Sequence, residues 1–293
     1  MDLDNLQDKK IVVTGGSGFL GCVLTNRLNA MGAEVYSFDV AKNTKNRGVQ
    51  ITVDITDVNK LQKEVNTIKP NFIFHLAAKL DRDRDFNKLR EISEVNFNGT
   101  VNILNALKDL DFINFIFAST SEVYGVGSKK ASAETDQVIA ASPYSLSKLN
   151  AENAIKTFSR IYNKNYTILR LFNFYGNNMP SGFFISDLVE KLKKNEEFDM
   201  THGEQKRDFL PLESVVEALI LGTREEAQNK TYNVCSGKGL KIKDIALKYK
   251  DQLDSKSVIN FGAIPYRENE IWEMIGDNYK IKEDLGWEPK PLF

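Results

Sequence analysis

A tyrosine and a lysine four residues apart, Tyr144 and Lys148, carry the side chains in this sequence that are best suited to moving a proton. They follow Ser142 and Pro143, and a serine followed by a proline is typical of the start of a helix. Residues four apart on a helix lie on the same face. A phenol has a pKa near 10, but a neighbouring ammonium group stabilises its phenolate. The pair predicts a tyrosine general acid or base whose pKa a lysine lowers, and an exposed pair without chemistry is the alternative.

Hydroxyl groups and a carboxylate precede this pair, directly after an apolar run that is typical of a strand. The run covers residues 112–117, and Ser119, Thr120, Ser121 and Glu122 come next. In doubly wound α/β folds, ligands bind in the crevice outside the carboxyl ends of the strands. We therefore expect these side chains to face the same ligand as the tyrosine.

The first strand-like run of the chain ends in a glycine-rich turn. Gly16, Gly18 and Gly21 match the pattern G-x-G-x-x-G, and Gly15, Gly18 and Gly21 are spaced by three residues. Glycines let the backbone turn tightly, approach a pyrophosphate and pack a helix against a strand. The N-terminus of the helix that follows offers free N–H groups and a partial positive charge. The turn predicts a dinucleotide site, and a flexible turn without a ligand is the alternative.

The residues that surround the glycines favour the dinucleotide. Apolar side chains recur at helical spacing at Phe19, Leu20, Val23, Leu24 and Leu28. Gly32 is placed to end this helix, and residues 34–38 predict a second strand that ends at Asp39. An acid at that position accepts hydrogen bonds from the adenosine ribose and repels a 2′-phosphate. We predict NAD as the cofactor, and Lys42 and Lys45 leave NADP as the alternative.

The order of the elements predicts an α/β fold. Further strand-like runs alternate with helical stretches, at 50–53, 72–76, 112–117, 166–171 and 231–234. This alternation indicates parallel strands with crossover helices, and hence a doubly wound parallel sheet of the Rossmann type. From about Phe174 it gives way to mixed helix and loop. We predict an NAD-binding domain over 1–173, with a return strand near 230–236, and a smaller, discontinuous mixed α/β substrate lobe over 174–293.

Composition limits the classes of partner. The net charge is −1, from 39 basic and 40 acidic residues, which disfavours a nucleic-acid-binding surface. The opening residues Met1 to Asn5 have no export signal, and no apolar run is long enough to span a membrane, so a cytoplasmic protein is expected. The two cysteines, Cys22 and Cys235, form no metal-like cluster, and no metal site is predicted.

Together these motifs resemble the extended short-chain dehydrogenase/reductase family that modifies nucleotide sugars. The resemblance rests on the glycine turn from Thr14 to Gly21, His75-Leu76-Ala77-Ala78, Asn96, Ser119 to Gly125, Tyr144 with Lys148, Arg170 to Gly176, Arg207-Asp208-Phe209 and Leu285 to Pro289. It covers nearly the whole chain in the family's order. The resemblance implies the same fold, bound NAD and a nucleotide-diphosphate sugar as substrate.

The resemblance also implies roles for single residues. Tyr144 is the general acid or base, Lys148 tunes its pKa, and Thr120 bonds the sugar O4. The implied NAD-binding residues are Gly15, Gly18, Phe19, Leu20, Gly21, Asp39, Asp54, Ile55, Leu76, Ala77, Ala78, Tyr144 and Lys148. The implied substrate-binding residues are Thr120, Ser121, Asn173, Arg207 and Arg267, the last three at the phosphates. Asn96 is expected to be a buried structural amide.

The shared chemistry of the family removes the O4 proton and the C4 hydride, which gives a 4-keto sugar. Residues 261–271 resemble the tail of bacterial 4-ketoreductases and epimerases that build surface polysaccharides, and we therefore favour a 4-epimerase or 4-dehydrogenase. A 4,6-dehydratase or decarboxylase that uses Glu122 as a catalytic group is the alternative, and a non-catalytic NAD-binding sensor is another. The charged segment 79–85 predicts a solvated loop, with contact to the sugar as the alternative. By analogy with the family, helices near 96–107 and 144–162 are expected to form a homodimer.

Overall fold

The computed structural model describes residues 6–81, 83–125, 130–268 and 270–290. Its main feature is a parallel sheet with the strand order β10-β6-β5-β4-β1-β2-β3. The strands are β1 (Lys10–Thr14), β2 (Glu34–Asp39), β3 (Val49–Thr52), β4 (Phe72–His75), β5 (Asn114–Thr120), β6 (Tyr166–Leu171) and β10 (Lys230–Val234). Strands β4 and β5 are buried along their whole length, as expected for apolar strands covered by helices on both faces. The predicted Rossmann-type sheet is confirmed, and β10, near the predicted return strand, pairs with β6.

Helices cover both faces of this sheet. The helices of the described residues are α1 (Phe19–Ala30), α2 (Val58–Ile68), α3 (Leu89–Ser93), α4 (Gly99–Leu107), α5 (Pro143–Tyr162), α6 (Phe184–Lys194), α7 (Leu212–Leu221), α8 (Ile242–Gln252) and α9 (Tyr279–Leu285), of which α6 and α8 pack away from this sheet. One core layer joins Val13 of the sheet with Leu24 of α1 and Leu219 of α7. The other joins Val12 with Leu61 of α2 and Ile155 of α5.

The chain reverses its direction of winding beside β1. Strands β2 and β3 lie to one side of β1, whereas β4, β5 and β6 lie to the other. The loops after β1 and β4 therefore leave the sheet in opposite directions and open a crevice at their carboxyl ends. This switch point is where doubly wound sheets bind their ligands.

Local sequence signals explain where two of the helices begin or end. The Ser142 side chain accepts a hydrogen bond from Ser145 N at 3.1 Å, and Ser142 N donates to Ser145 Oγ at 3.0 Å. This capping box, with Pro143 in the first turn, starts α5 at the predicted place. Helix α1 ends at Ala30, two residues before Gly32, whose φ of +83° favours glycine.

The chain after β6 contains more strand than the sequence predicts. The additional short strands are β7 (Asn173–Tyr175), β8 (Phe198–Met200), β9 (Lys206–Pro211), β11 (Gly239–Lys241), β12 (Ile259–Phe261) and β13 (Glu273–Met274). The expectation of mixed helix and loop missed them because five of the six have only two or three residues and leave no alternating pattern. The sixth, β9, has six residues but begins with three charged side chains and ends in proline, so it does not alternate either. They pack with α6 and α8 around a small core that includes Leu188, Met200 and Ile245. The division of the chain into lobes at residue 173 stays a prediction.

Two bulk properties of the described residues bear on partners. None of the helices they form is long and apolar enough to cross a bilayer. Within the same residues, no group of three or more His, Cys, Asp or Glu side chains is arranged to hold a metal ion. Residues 1–5, on which the expectation of no export signal rests, lie outside the described part of the chain.

Candidate active site

A pocket of about 390 Å³ lies at the carboxyl ends of β1, β4, β5 and β6. It brings together predicted cofactor, catalytic and substrate residues from across the chain: Gly15, Gly18, Phe19, Leu20, Gly21, Leu76, Ala78, Thr120, Ser121, Glu122, Tyr144, Lys148 and Asn173. Arg207 and Arg267 do not line it, and neither do Asp39, Asp54, Ile55 and Ala77. The pocket is therefore centred on the Tyr144–Lys148 pair.

The glycine turn has the shape of a diphosphate cradle. Gly15 has a φ of +70°, and a Cβ placed on it would lie 2.8 Å from Ala77 N, closer than packed atoms approach. Gly18 is the residue before the first turn of α1, so the free N–H groups of that turn open toward the pocket. The Ser17 Oγ is buried and has no hydrogen-bond partner among the described residues. A hydroxyl donor left unpaired beside a helix N-terminus fits an anion such as the diphosphate of NAD.

Asp39 stands at the end of β2, next to the turn. Its Oδ2 accepts a hydrogen bond from Ser17 N at 2.9 Å, which fixes the carboxylate beside the cradle. Val53 N donates to Asp39 O at 2.9 Å, and this bond brings the chain after β3 to the same edge of the sheet. Asp54 is exposed there, and Ile55 is buried against Gly99. These positions suit the adenosine half of a dinucleotide, at a distance from the tyrosine.

A buried histidine connects the strands beneath the cofactor side. His75 Nδ1 lies 2.6 Å from Thr14 Oγ1, and His75 Nε2 lies 2.9 Å from Thr100 Oγ1. Thr100 Oγ1 donates to Asn96 O at 2.6 Å, so it accepts from Nε2, and Nδ1 accepts from Thr14. Burial, with a smaller effect of the Lys148 ammonium, lowers the pKa of His75 from 6.5 to about 3. The ring is therefore neutral and ties β1 to β4 and to the helical segment after α3.

Asn96 extends this network to the catalytic helix. Its side chain accepts from Lys79 N at 2.7 Å and donates to Lys79 O at 3.1 Å and to Ser147 Oγ at 2.9 Å. Ser147 Oγ in turn donates to Tyr144 O at 2.7 Å. Asn96 thus occupies the structural position expected of it, and the backbone of Tyr144 is linked to the loop after β4 by side-chain hydrogen bonds.

Lys148 is buried under an aromatic ring. Its Nζ lies 4.1 Å from the centroid of Phe117, and the residue is 2% exposed. Burial lowers the pKa of Lys148 from 10.5 to about 7, against the opposing effect of Glu152 one turn further along α5. Glu152 accepts two hydrogen bonds from Arg170, at 3.0 and 2.8 Å. Burial opposes ionisation of Glu152, but Arg170 and Ser119 outweigh it and lower its pKa. The Glu152 side chain is therefore kept as a carboxylate one helical turn from Lys148.

The hydroxyl residues after β5 face the pocket at different depths. Thr120 Oγ1 accepts from Glu122 N at 3.2 Å, which leaves its own proton available to a ligand oxygen. Ser121 Oγ donates to Met274 Sδ at 3.3 Å. Glu122 Oε2 accepts from Ser142 Oγ at 3.4 Å, beside the start of the catalytic helix. Thr120 and Tyr144 thus line the same pocket, and the binding of the sugar O4 by Thr120 stays a prediction.

The predicted phosphate-binding residues lie at one end of the site. Asn173 lines the pocket and donates to Asp208 O at 3.3 Å. Arg207 is mostly buried, and its guanidinium donates to Glu270 Oε1 and to Ile271 O, each at 2.6 Å. Arg267 is exposed.

Electrostatics connects three arginines at this end. The pKa of Arg207 is lowered, chiefly by burial and in spite of its partner Glu270. The charges of Arg267 and Arg84 lower it further. Arg84 belongs to the charged segment 79–85, and the two interpretations of that segment, a solvated loop or a contact to the sugar, stay predictions.

The rest of the pocket wall was not predicted from the sequence. It is apolar and consists of Leu80, Ala118, Leu171, Phe172, Phe174, Met179, Phe183, Phe184, Ile185, Phe209 and Met274. Leu171, Phe172, Phe174 and Phe209 belong to motifs of the family resemblance, but none of them was predicted to line the site. The others come from separate strands, loops and helix α6. Glu152 and Glu270 were also missed. Glu152 stands one helical turn after Lys148, a spacing that could have pointed to a charge partner, whereas Glu270 pairs with the distant Arg207 and left no such signal.

The sheet, the glycine turn and the Tyr144–Lys148 pair define an NAD-dependent enzyme of the extended short-chain dehydrogenase/reductase type. Residues 11–235 match the model of the NAD dependent epimerase/dehydratase family, and the chain belongs to this family.

Its relatives act in different ways. A UDP-N-acetyl-alpha-D-glucosaminuronate decarboxylase of Bacillus cytotoxicus is 30% identical over 96% of this chain and 93% of its own. A GDP-6-deoxy-D-talose 4-dehydrogenase of Aggregatibacter actinomycetemcomitans is 28% identical over 94% and 91%. Among solved structures, UDP-glucose 4-epimerase of Thermotoga maritima superposes with a TM-score of 0.90 at 28% identity, over 96% of this chain and 94% of that one. These relatives are named for three different reactions: a decarboxylation, a dehydrogenation at C4 and an epimerisation at C4.

Proposed function

We propose that this enzyme oxidises and reduces C4 of a nucleotide-diphosphate sugar, as a 4-epimerase or a 4-dehydrogenase/ketoreductase, in the synthesis of bacterial surface-polysaccharide sugars. The observation that carries the proposal is the placement of Tyr144, Lys148 and Thr120 in one pocket with the glycine turn. The named activities of the relatives support the substrate class.

In this proposal Tyr144 moves the proton at the sugar O4. NAD, when bound, accepts a hydride from C4 and can return it. The Tyr144 phenolate takes the O4 proton while the C4–O bond becomes a ketone, and the same phenol gives the proton back when the ketone is reduced. The Lys148 ammonium stabilises the phenolate, and the Thr120 hydroxyl binds O4 beside it. The carboxylate of Glu152, behind Lys148, favours the charged form of the lysine.

The pocket wall favours this chemistry over decarboxylation. A uronic acid substrate would place a carboxylate close to Glu122 without a new cation to pair with it. Of the lining residues that the structure describes, Lys148 alone has a cationic side chain, and Met274 occupies the wall next to Ser121. Pairing is what makes a buried charge tolerable, so a neutral sugar suits this wall better. Dehydration through Glu122 stays the alternative, since that carboxylate does line the pocket.

The experiment is to incubate the purified enzyme and NAD with a panel of nucleotide hexoses. Absorbance of reduced nicotinamide and the mass of the sugar product are followed together. Reduced cofactor or an isomeric sugar supports the proposal. A product lighter by one water, lost on Glu122→Gln substitution while the initial oxidation persists, would replace it with the dehydratase. Neither turnover nor reduced cofactor with any hexose would favour a sensor.

We also propose that two copies pair through α4 and α5. A shallow groove between these helices is lined by Phe97, Val101, Leu104, Asn105, Asn150, Asn153, Ala154, Thr157, Phe158, Ile161 and Tyr162. Ile161 is 67% exposed, so this apolar side chain is open to a partner. A two-fold contact would cover the groove on both copies. Light scattering is expected to give twice the chain mass for the native protein and the chain mass for Ile161→Glu; a monomeric native protein would contradict the pairing.

A further inference from the structure

An exposed tryptophan packed near a half-buried tyrosine follows Glu270 and Ile271, the residues that hold Arg207. The rings of Tyr266 and Trp272 lie 4.9 Å apart between centroids, and Tyr266 is backed by His202 at 6.3 Å. The Tyr266 hydroxyl accepts a hydrogen bond from Glu204 N at 3.0 Å, which fixes the tyrosine. Trp272 is 52% exposed. A large flat ring held open to solvent against a fixed neighbour is an unusual surface feature and fits a stacked ligand.

The strand register places Trp272 on the pocket side of the small sheet. In the parallel pairing of β13 with β9, Met274 lies opposite Arg207. Phe209, two residues further along β9, lines the pocket, as Met274 does. Because side chains alternate along a strand, Arg207 and Phe209 point to the same face. Trp272 precedes Met274 by two residues. Its carbonyl oxygen accepts a hydrogen bond from Lys206 N at 2.7 Å, which extends the pairing of β13 with β9 to Trp272.

The residues on the opposite face of β9 and β13 agree with this alternation. Lys206 and Glu273, the residues between those named, form an ion pair at 3.0 Å on the other side of the strands. Met274, Arg207 and Trp272 therefore form a row on one face.

The groups of this row suit the parts of a nucleotide sugar. Met274 Sδ lies 3.3 Å from Ser121 Oγ, next to the proposed sugar site. Arg207 lies beside Met274 on β9, and the charges of Arg84 and Arg267 act on it. Two residues of extended chain span about 7 Å, so Trp272 lies roughly that far beyond Met274. A ligand with its sugar at Ser121 therefore has a guanidinium for its diphosphate at its side and an aromatic ring further along.

We propose that the nucleobase of the substrate stacks on Trp272, with Tyr266 supporting the ring from behind. This inference rests on the proposed function for the identity of the ligand and adds the site of its base. Every base offers a flat face to an aromatic ring, so the platform binds pyrimidine and purine nucleotides alike. Discrimination between bases is then left to hydrogen bonds at their edges.

The test is nucleotide binding to the NAD-saturated enzyme, measured by calorimetry with UDP, GDP and inorganic pyrophosphate. Saturation with NAD prevents the probes from occupying the cofactor's adenosine site. Trp272→Ala is expected to weaken UDP and GDP roughly 5- to 150-fold and to leave pyrophosphate unchanged. Tyr279→Ala, which removes another exposed ring, is the matched control and is expected to bind all three like the native enzyme. Native affinity in Trp272→Ala, an equal loss for pyrophosphate, or no binding of UDP and GDP to the native enzyme would overturn the inference.

Fluorescence gives a second readout that does not depend on folding of the alanine variant. The chain has two tryptophans, and the other, Trp287, is 1% exposed in the core. UDP is expected to quench the native emission and to leave the emission of Trp272→Phe, which keeps a ring for stacking, unchanged. Equal quenching in both proteins would contradict the inference. None of these titrations needs turnover, so a failure of the C4 chemistry and a failure of the base platform are seen separately.

Discussion

The cofactor side of the pocket, at the ends of β1 and β4, and the substrate side, at β9 and β13, hold their polar groups in different ways. On the cofactor side, Thr14 bonds to His75 and to Ala77 N, and the side chain of Asn96 bonds to the backbone of Lys79. On the substrate side, Arg207 is held by the carboxylate of Glu270, a partner that an incoming diphosphate can replace. With the predicted residue roles, the cofactor side is built in advance, whereas Arg207 on the substrate side exchanges Glu270 for the diphosphate of the substrate. Specificity is therefore expected on the substrate side.

The largest effect is expected where the two sides meet. Tyr144→Phe keeps the ring and removes the group that carries the proton, so turnover is expected to fall roughly 10²–10⁴-fold. The affinity for NAD, measured by titration, is expected to stay close to native. Tyr162→Phe, at the other end of the same helix, is the control and is expected to keep native turnover. A Tyr144→Phe enzyme with near-native turnover would remove the tyrosine from the mechanism.

On the cofactor side, a single charge is expected to set the choice of cofactor. Asp39→Asn keeps an acceptor for Ser17 N but loses the negative charge that bonds ribose hydroxyls and repels a 2′-phosphate. The preference for NAD over NADP, as the ratio of kcat/KM values, is expected to fall roughly 10- to 100-fold. An unchanged ratio would mean that Asp39 does not face the ribose.

On the substrate side, removing the resident carboxylate is expected to strengthen anion binding. Glu270→Gln leaves an amide near Arg207 and no charge to be displaced, so pyrophosphate is expected to bind about 5- to 10-fold more tightly. Its free energy of unfolding without ligand is expected to fall, since a largely buried guanidinium loses its partner. Calorimetry and urea unfolding measure the two quantities. Weaker pyrophosphate binding would show that Glu270 positions Arg207 and does not compete for it.

The smallest expected effect is on the pH dependence of stability, and it comes from His75 on the cofactor side. Its pKa is about 3 in the folded state and near 6.5 when unfolded, so between these values only the unfolded chain takes up the proton. The contribution of His75 to the free energy of unfolding is fully present above pH 6.5. It is lost as pH falls toward 3, by at most about 1.4 kcal/mol per pH unit. His75→Gln is expected to show a shallower decline in urea unfolding over pH 4.5–6.5. Parallel declines would show that the ring does not resist protonation.

The contrast between the cofactor side and the substrate side also explains which features could be predicted from the sequence. The glycine turn, Asp39 and the start of α5 were predictable, because each depends on residue types within a few positions. Glu270 pairs with an arginine 63 residues earlier in the chain, and the phenylalanines of the pocket wall come from separate loops. Neither contact leaves a local pattern. The burial of Lys148 under Phe117 was also hidden, since it depends on how α5 packs against β5. The predicted role of each site residue stays a prediction until the variants are made.

The most direct test of the C4 chemistry is to follow a deuterium atom placed at C4 of the nucleotide sugar that the enzyme accepts. We predict that mass spectrometry will find the label either back at C4 of an isomeric sugar or transferred to the nicotinamide, with the carbon skeleton intact. Label found at C6 of a dehydrated product, or a product that has lost carbon dioxide, would contradict the account.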